Sequence, residues 1–461
     1  MWGFSVPFGQ LRRRAAVFRF GNSAQIIPYM LRCKQLGFAD IEARCREPYG
    51  FWLDSAQAGS CAGRSSFAGA DPFAVVRSHG NEIEVWTRGV THRASGDPFE
   101  VLREMLREGQ SARTTGAAVG YLAYGLKRFI EDVPERAVDD LLLPEAYLCL
   151  YESVDRFDAR PLACGGDSAQ RVELASELVP PSNFSRGGYL AAVRRALGYI
   201  TAGDIYQVNL SQRFQVPYSG DTFRTYCALR RCNPAPFAAY LNLPEVQVLS
   251  ASPERFLSLD PISRLVETRP IKGTRPRGRT MDEDARLAEE LLASEKDRAE
   301  NVMIVDLERN DLGRVAEIGS VRVTGLCTLE QFATVHHLPS TVVARLKEGL
   351  DGVDLLRATF PGGSITGAPK IRAMEIIDEL EPTARSIYTG SIGYFGFDGS
   401  IDLNIAIRTI LVKDGVAYFQ AGGGIVADSE PEMEYEETLH KAAAMANVLS
   451  CEAAVAPGGA L

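Results

Sequence analysis

The sequence predicts an α+β protein built on mostly antiparallel sheet, and three observations carry that reading. β-like runs bunch at Tyr206 to Phe214, Val246 to Leu259, Ile387 to Phe397, Leu403 to Val412 and Val416 to Ala421. Helical periodicity interrupts them, opening at Arg186 and returning from Asp282 through Leu307. No regular strand–helix–strand beat links the two kinds of segment, which argues against a doubly wound fold.

From the amino terminus, the first 25 residues are basic and poor in acid, but they lack an uninterrupted apolar core followed by a small-residue cleavage site. They do not read as a secretory signal; a mis-assigned start or an extra strand accounts for them. The stretch at 164–185, CGGDSAQRVELASELVPPSNFS, is linker-like and includes two adjacent prolines, so it is the expected boundary between halves of different texture. The run 282–307 reads as one helix with an apolar face from Leu291, Leu292, Ala299, Val302, Met303 and Ile304. A proline in a first turn and a run of Ala, Met and Leu start the last helix near Glu430.

Composition narrows the function. The chain has 461 residues, 46% of them hydrophobic, enough for one large core or two medium ones. Fifty Lys and Arg stand against 59 Asp and Glu for a net charge of -9, and with no dominating basic stripe nucleic-acid binding is disfavoured. Nine cysteines are scattered without a CxxC, which suits reduced thiols in a cytosolic (cytoplasmic) protein. No apolar run approaches the roughly 18 residues of a membrane span.

The chemistry gathers at four places. Residues 268–278, TRPIKGTRPRG, surround one lysine, Lys272, with arginine, proline and glycine, on a stretch that cannot be helix and is too irregular for an ordinary strand. Glu434, Glu437 and Lys441 fall at i, i+3 and i+7 and share one helix face; taken by themselves, the acids are a solvated first turn meeting the helix dipole. Glu300 lies close to the apolar face of its helix, and Lys296 four residues earlier offers it a local partner. Carboxylates gathered from two distant helices suit Mg²⁺, a hard cation that an anionic substrate would complete; without Cys/His spacing, zinc does not fit. The glycines of AGGGIVADS, 421–429, precede the Glu434 helix and would let backbone N–H groups approach an anion. GSITGAPK lacks the ending and spacing of a phosphate-binding loop. GSCAG at 59–63 looks like a glutaminase nucleophile but has no histidine partner motif, so it is rejected.

Order and wording make these weak signals specific. RPIKGT, EKDRAENVMIVDLERNDLGRV, FPGGSITGAPKIRAMEIIDELEP, IRT at 407–409 and AGGGIVADSEPEMEYEE together closely resemble the chorismate-utilising enzymes. The resemblance is dense over 183–450, thinner over 46–175 through FWLDSA and GRSSFAGADP, and absent from 1–45. It implies an α+β sandwich of two antiparallel sheets with helices outside, like anthranilate synthase component I.

It also implies roles. Members resembling aminodeoxychorismate synthase carry lysine in PIKGT, whereas those resembling anthranilate synthase carry alanine in PIAGT. Lys272 is then the expected nucleophile toward C2 of chorismate, aimed by a rigid turn and kept reactive by a neighbouring arginine or a dry pocket. Glu254 of SPERF corresponds to the general acid/base at the departing hydroxyl. Glu300 and Glu437, with Glu434, correspond to Mg²⁺ ligands. Gly273, Thr274, Tyr388, Arg408 and the backbone of Gly422, Gly423 and Gly424 match substrate-binding positions; His337 matches a histidine beside the ring, and Lys441 a basic residue beside the metal. With no glutaminase domain recognised, ammonia is expected from a separate glutamine amidotransferase subunit, component II. A Schiff-base lysine for pyridoxal phosphate and a non-catalytic binding module are the readings from other classes.

Overall fold

The computed structural model describes residues 36–56, 65–87, 89–111, 115–158, 180–332 and 335–455. Most of the 164–185 stretch and the GSCAG segment lie outside them. Among the described residues two large sheets carry the chain. One has nine strands, edge to edge Gly367–Ala368, Gln207–Pro217, Val416–Ile425, Thr409–Lys413, Gln247–Ser252, Phe237–Asn242, Phe51–Asp54, Ser65–Gly69 and Asp155–Asp158. The other has eleven, from Arg322–Gly325 at one edge through Thr341–Arg345, Leu265–Arg269, Arg255–Leu259, Ile401–Asn404, Ser391–Gly396, Ala117–Leu122, Ala146–Tyr151, Ala74–His79 and Glu82–Thr87 to Val90–Ser95. Neighbouring strands run antiparallel, and both sheets mix early and late strands: Phe51–Asp54 pairs with Phe237–Asn242, and Ala117–Leu122 with Ser391–Gly396.

Side-chain alternation decides how the layers stack. Val75, Val119, Tyr147 and Cys149 of the eleven-stranded sheet meet Phe51, Leu241, Val248 and Leu411 of the nine-stranded sheet in one buried layer. Their neighbours Val76, Ala118 and Leu148 turn to the opposite face and pack with Phe99, Val193, Leu356 and Ile376 of four helices. The outer face of the nine-stranded sheet, with Trp52, Tyr240, Leu249 and Phe419, is covered by the helices Phe38–Arg46, Thr222–Cys232 and Pro431–Val455. The molecule is thus a sandwich with helices outside, as expected. Where both faces of a sheet are covered, strands such as Ala117–Leu122 and Ala146–Tyr151 are buried along their whole length and show no polar alternation.

Three predicted elements divide, and the first two divisions build the site. Val246 to Leu259 is two strands in different sheets: the chain leaves the nine-stranded sheet at Ser252, turns through Pro253 and Glu254, and enters the eleven-stranded sheet at Arg255. Leu403 to Val412 makes the reverse crossing, from the strand Ile401–Asn404 to the strand Thr409–Lys413. Sandwich corners are commonly turned by strands that switch sheets at such bends. The crossings lie side by side, the Ala251 N–H donating to the Arg408 carbonyl and the Ile405 N–H to the Glu254 carbonyl, each at 3.0 Å. The run 282–307 breaks at Ser294, whose hydroxyl caps Asp297, giving Met281–Ala293 and Glu295–Gly313. The predicted face is buried only in part: Leu291 on the first helix and Ile304 on the second are inside, but Leu292 and Val302 are exposed, and the second helix turns Asn301, Val305, Glu308, Asp311 and Leu312 inward with Ile304. No described helix is long and apolar enough to cross a membrane, and Cys45, Cys149 and Cys327 are buried free thiols.

Candidate active site

Lys272 sits on a strand after all. Ile271–Pro276 joins Val335–Pro339 and Glu330–Gln331 in a small third sheet, and its irregularity is a register shift between Ile271 and Thr274, with Gly273 at φ 81°. Only a residue without Cβ takes that conformation freely, and a Cβ there would press on Leu291 and Asp297 at 3.0 Å. The three arginines of the stretch are tied down: Arg269 to Glu330 at 2.5 Å, Arg275 to Asp297 at 3.3 Å and Arg277 to Asp284 at 2.7 Å. They staple the small sheet to its surroundings, while Lys272 on the same strand brings its Nζ to Gly424. Its charged neighbours include three carboxylates: Glu254, Glu300 and Glu437 each feel its charge.

Glu254 and Arg408 project from the two adjacent crossings. Glu254 is 4% exposed, and burial pushes its carboxyl up to about 7 against the opposing pull of Ser364, Lys272 and Arg408. It therefore carries a proton over part of the neutral range, as a general acid must. Arg408 adopts φ 51°, a left-handed conformation rare outside glycine and typical of functional positions. Its Nη1 reaches Asn233 Oδ1 at 3.4 Å.

Three acids converge from two helices. Glu434 and Glu437, on Pro431–Val455, reach over the strand Val416–Ile425: a Cβ on Gly423 would stand 3.1 Å from Glu434 Oε2 and 3.3 Å from Glu437 Oε1. One on Gly424 would stand 3.5 Å from Lys272 Nζ. The glycines are thus the end of a strand rather than a loop, and their missing side chains make room for the acids and the lysine. Burial raises Glu300 and Glu434 above the usual carboxylate range; for Glu437 burial is outweighed by Lys441, Lys296 and Lys272, which hold it below. Lys441 Nζ lies 2.5 Å from Glu437 Oε1 and donates to the Gly422 carbonyl at 3.0 Å. Lys296 reaches Glu434 at 3.9 Å, across helices, although its local neighbour Glu300 also feels it. Among the described residues no three acidic, imidazole or thiol groups are drawn together tightly enough to hold an ion as they stand.

Comparison with known proteins decides the family. The family model described as chorismate binding enzyme matches residues 49–447. The chain belongs to the chorismate-binding enzymes. It is 43% identical over 417 residues to aminodeoxychorismate synthase component 1 of Escherichia coli (strain K12), covering 86% of this chain and 92% of that one. It is also 39% identical over 434 residues to anthranilate synthase component 1 of Aquifex aeolicus (strain VF5), covering 85% and 87%. The crystal structure of anthranilate synthase component I from Streptococcus pneumoniae TIGR4 superposes with a TM-score of 0.69 at 31% identity, over 92% of this chain and all of that one.

In this chorismate-binding enzyme the remaining predicted residues divide. His337 pairs in register with Thr274, and the Thr274 hydroxyl lies 2.8 Å from its Nδ1. Burial, with Arg408 adding to it, pulls the imidazole down to about 3, so it is neutral at physiological pH. Tyr388 is buried against Arg385, its ring 5.8 Å from the guanidinium, and burial raises its phenol above the usual range. Sequence reasoning missed Gln207, whose amide lies over Gly424, and Ser429, whose hydroxyl donates to Glu434 at 2.6 Å. It also missed Glu308, a buried carboxyl that accepts from the Thr268 hydroxyl at 2.9 Å and is pushed well up by burial and by Glu254. Glu308 was legible only as one more acid in a charged helix. The lysine of GAPK is committed within the fold: Lys370 donates to the Thr359 and Pro361 carbonyls at 2.8 Å and pairs with Asp311.

Proposed function

We propose that the chain is an aminodeoxychorismate synthase component 1, exchanging the C4 hydroxyl of chorismate for an amino group. The observation that carries this reading is Lys272: its arginine neighbours are committed to ion pairs, while its own amine faces Glu254, Glu300 and Glu437 across Gly424. The 43% identity to a relative of that name supports the same reading.

The Lys272 ammonium gives a proton to Glu254, and the neutral amine attacks C2 of the ring as the double bond shifts and the C4–O bond breaks. Glu254 passes the proton to the departing hydroxyl, which leaves as water; a carboxyl near 7 serves both directions. Ammonia then adds at C4, the double bond shifts back, and the lysine is expelled from C2. The product keeps its enolpyruvyl group. Arg408 offers the two-pronged donor that a substrate carboxylate prefers. Glu300, Glu434 and Glu437 are the oxygen donors that would hold Mg²⁺ once a substrate carboxylate joined them, Lys296 and Lys441 balancing their charge until then; the ion would supply positive charge at the ring carboxylate. Relatives named as a first component support a separate glutamine amidotransferase as the ammonia source. Its natural setting on this reading is the cytoplasm.

A second reading, anthranilate synthase component 1, draws on the 39% identity to that enzyme of Aquifex aeolicus. The two separate in one assay. Purified chain with chorismate, Mg²⁺ and ammonium should give a product in which an amine replaces a hydroxyl, identified by mass. Chorismate without ammonia should leave an adduct, substrate minus water, on the peptide holding Lys272, absent in Lys272→Ala. Fluorescent anthranilate as the main product, or an adduct that survives in Lys272→Ala, defeats the proposal.

A further inference from the structure

A second cavity, of about 380 Å³, opens away from these residues. Its walls come from the segment after the strand Ala117–Leu122 and from the end of the helix Lys370–Leu380 with the turn beyond it. Two side chains in those walls are out of balance with their surroundings. Lys127 is 4% exposed, and no hydrogen bond or ion pair holds its ammonium among the described residues; its recorded contact is the Tyr124 ring, 5.2 Å away. Tyr124, equally buried, has a hydroxyl with no hydrogen-bond partner. A largely buried lysine and a buried hydroxyl without a hydrogen-bond partner each cost free energy that a bound acceptor would recover.

The acids of the cavity do not meet that demand, because each is already engaged. Asp378 accepts from the backbone of Arg136 at 2.6 Å. Glu381 is held by Arg385, Glu135 and Glu145 both by Arg128, and Asp139 accepts from the Leu142 backbone at 3.1 Å. What the cavity lacks is an acceptor, and both unpartnered groups are donors. Leu142, Leu143 and Ile377 in the same walls suit an apolar body, and the volume is that of a small-molecule site.

We propose that this cavity binds a small organic carboxylate, its oxygens taken by Lys127 Nζ and Tyr124 Oη. Burial, only partly offset by Asp378, already pulls the Lys127 ammonium below its usual range, so an anion beside it would restore what burial removes. The site is separate from the Lys272 centre and stands whether or not the proposed reaction does.

The test is a fluorine NMR titration of the full chain with 4-fluorobenzoate. Saturable binding is expected, weakened at least about tenfold in Lys127→Met and roughly twofold to tenfold in Tyr124→Phe. Lys127→Met removes a buried charge, so its melting temperature should be no lower than the parent's, and turnover of chorismate should be unchanged. Absent binding, or binding equal in parent and Lys127→Met, overturns the site. Displacement by inorganic phosphate at lower concentration than by benzoate overturns the carboxylate assignment.

Discussion

Replacing Glu254 by Gln should make the protein more heat-stable at alkaline pH and leave it unchanged at acid pH. The carboxyl is buried, and its value rises from 4.5 in the unfolded chain to about 7 in the folded one. Such a group favours folding fully below 4.5, and that contribution is lost as pH rises through about 7, when folding must bury a charge. The shift corresponds to about 3 kcal/mol at about 1.4 kcal/mol per pH unit. A chain of 461 residues unfolds with an entropy of roughly 1 kcal/mol/K, so the Gln variant should melt about 3 °C above the parent at pH 8.5. At pH 3.5 the carboxyl is neutral in the folded and the unfolded chain alike, and the curves should coincide. Scanning calorimetry at the two pH values measures this. A difference that is the same at both, or a variant less stable at pH 8.5, would mean that Lys272 and Arg408 already stabilise the charged form, and the acid role would lose its physical basis.

Two further substitutions probe the floor of the site. Gly424→Ala should cut turnover at least tenfold, because the added carbon would lie 2.0 Å from the Gln207 amide and 3.5 Å from Lys272 Nζ; steady-state kinetics with a thermal melt separates this from misfolding. Glu300→Gln should abolish activity at modest Mg²⁺ without loss of fold, checked by Mg²⁺ titration of the rate and by circular dichroism; normal turnover would remove Glu300 from the metal set.

The sandwich was legible because its strands are apolar and its helices periodic, but the sequence hid where strands change sheets. Ser252 and Arg255 belong to one β-like run by propensity; only the pairing of Gln247–Ser252 with Thr409–Lys413 and of Arg255–Leu259 with Ile401–Asn404 parts them. That sheet change is a long-range fact that no local pattern carries. Glu254, Glu300, Glu434, Glu437 and Lys272 were legible through motif resemblance and do gather. Gln207, Ser429 and Glu308 were not, since an amide, a hydroxyl and an acid acquire meaning only from what folds against them.

The acid and the arginine are fastened to each other: the backbones that carry Glu254 and Arg408 are hydrogen-bonded across the two sheet crossings. Lys272 rides on a separate three-stranded sheet, held by the pairs of Arg269, Arg275 and Arg277. The departing group and the incoming nucleophile are therefore governed by different elements, which meet where the Ile271 backbone N–H donates to the Glu254 carboxyl. Selection can revise what attacks the ring by changing one side chain on the stapled sheet, while the machinery that expels the hydroxyl stays in register, and chemical diversification on such a frame starts from the small sheet.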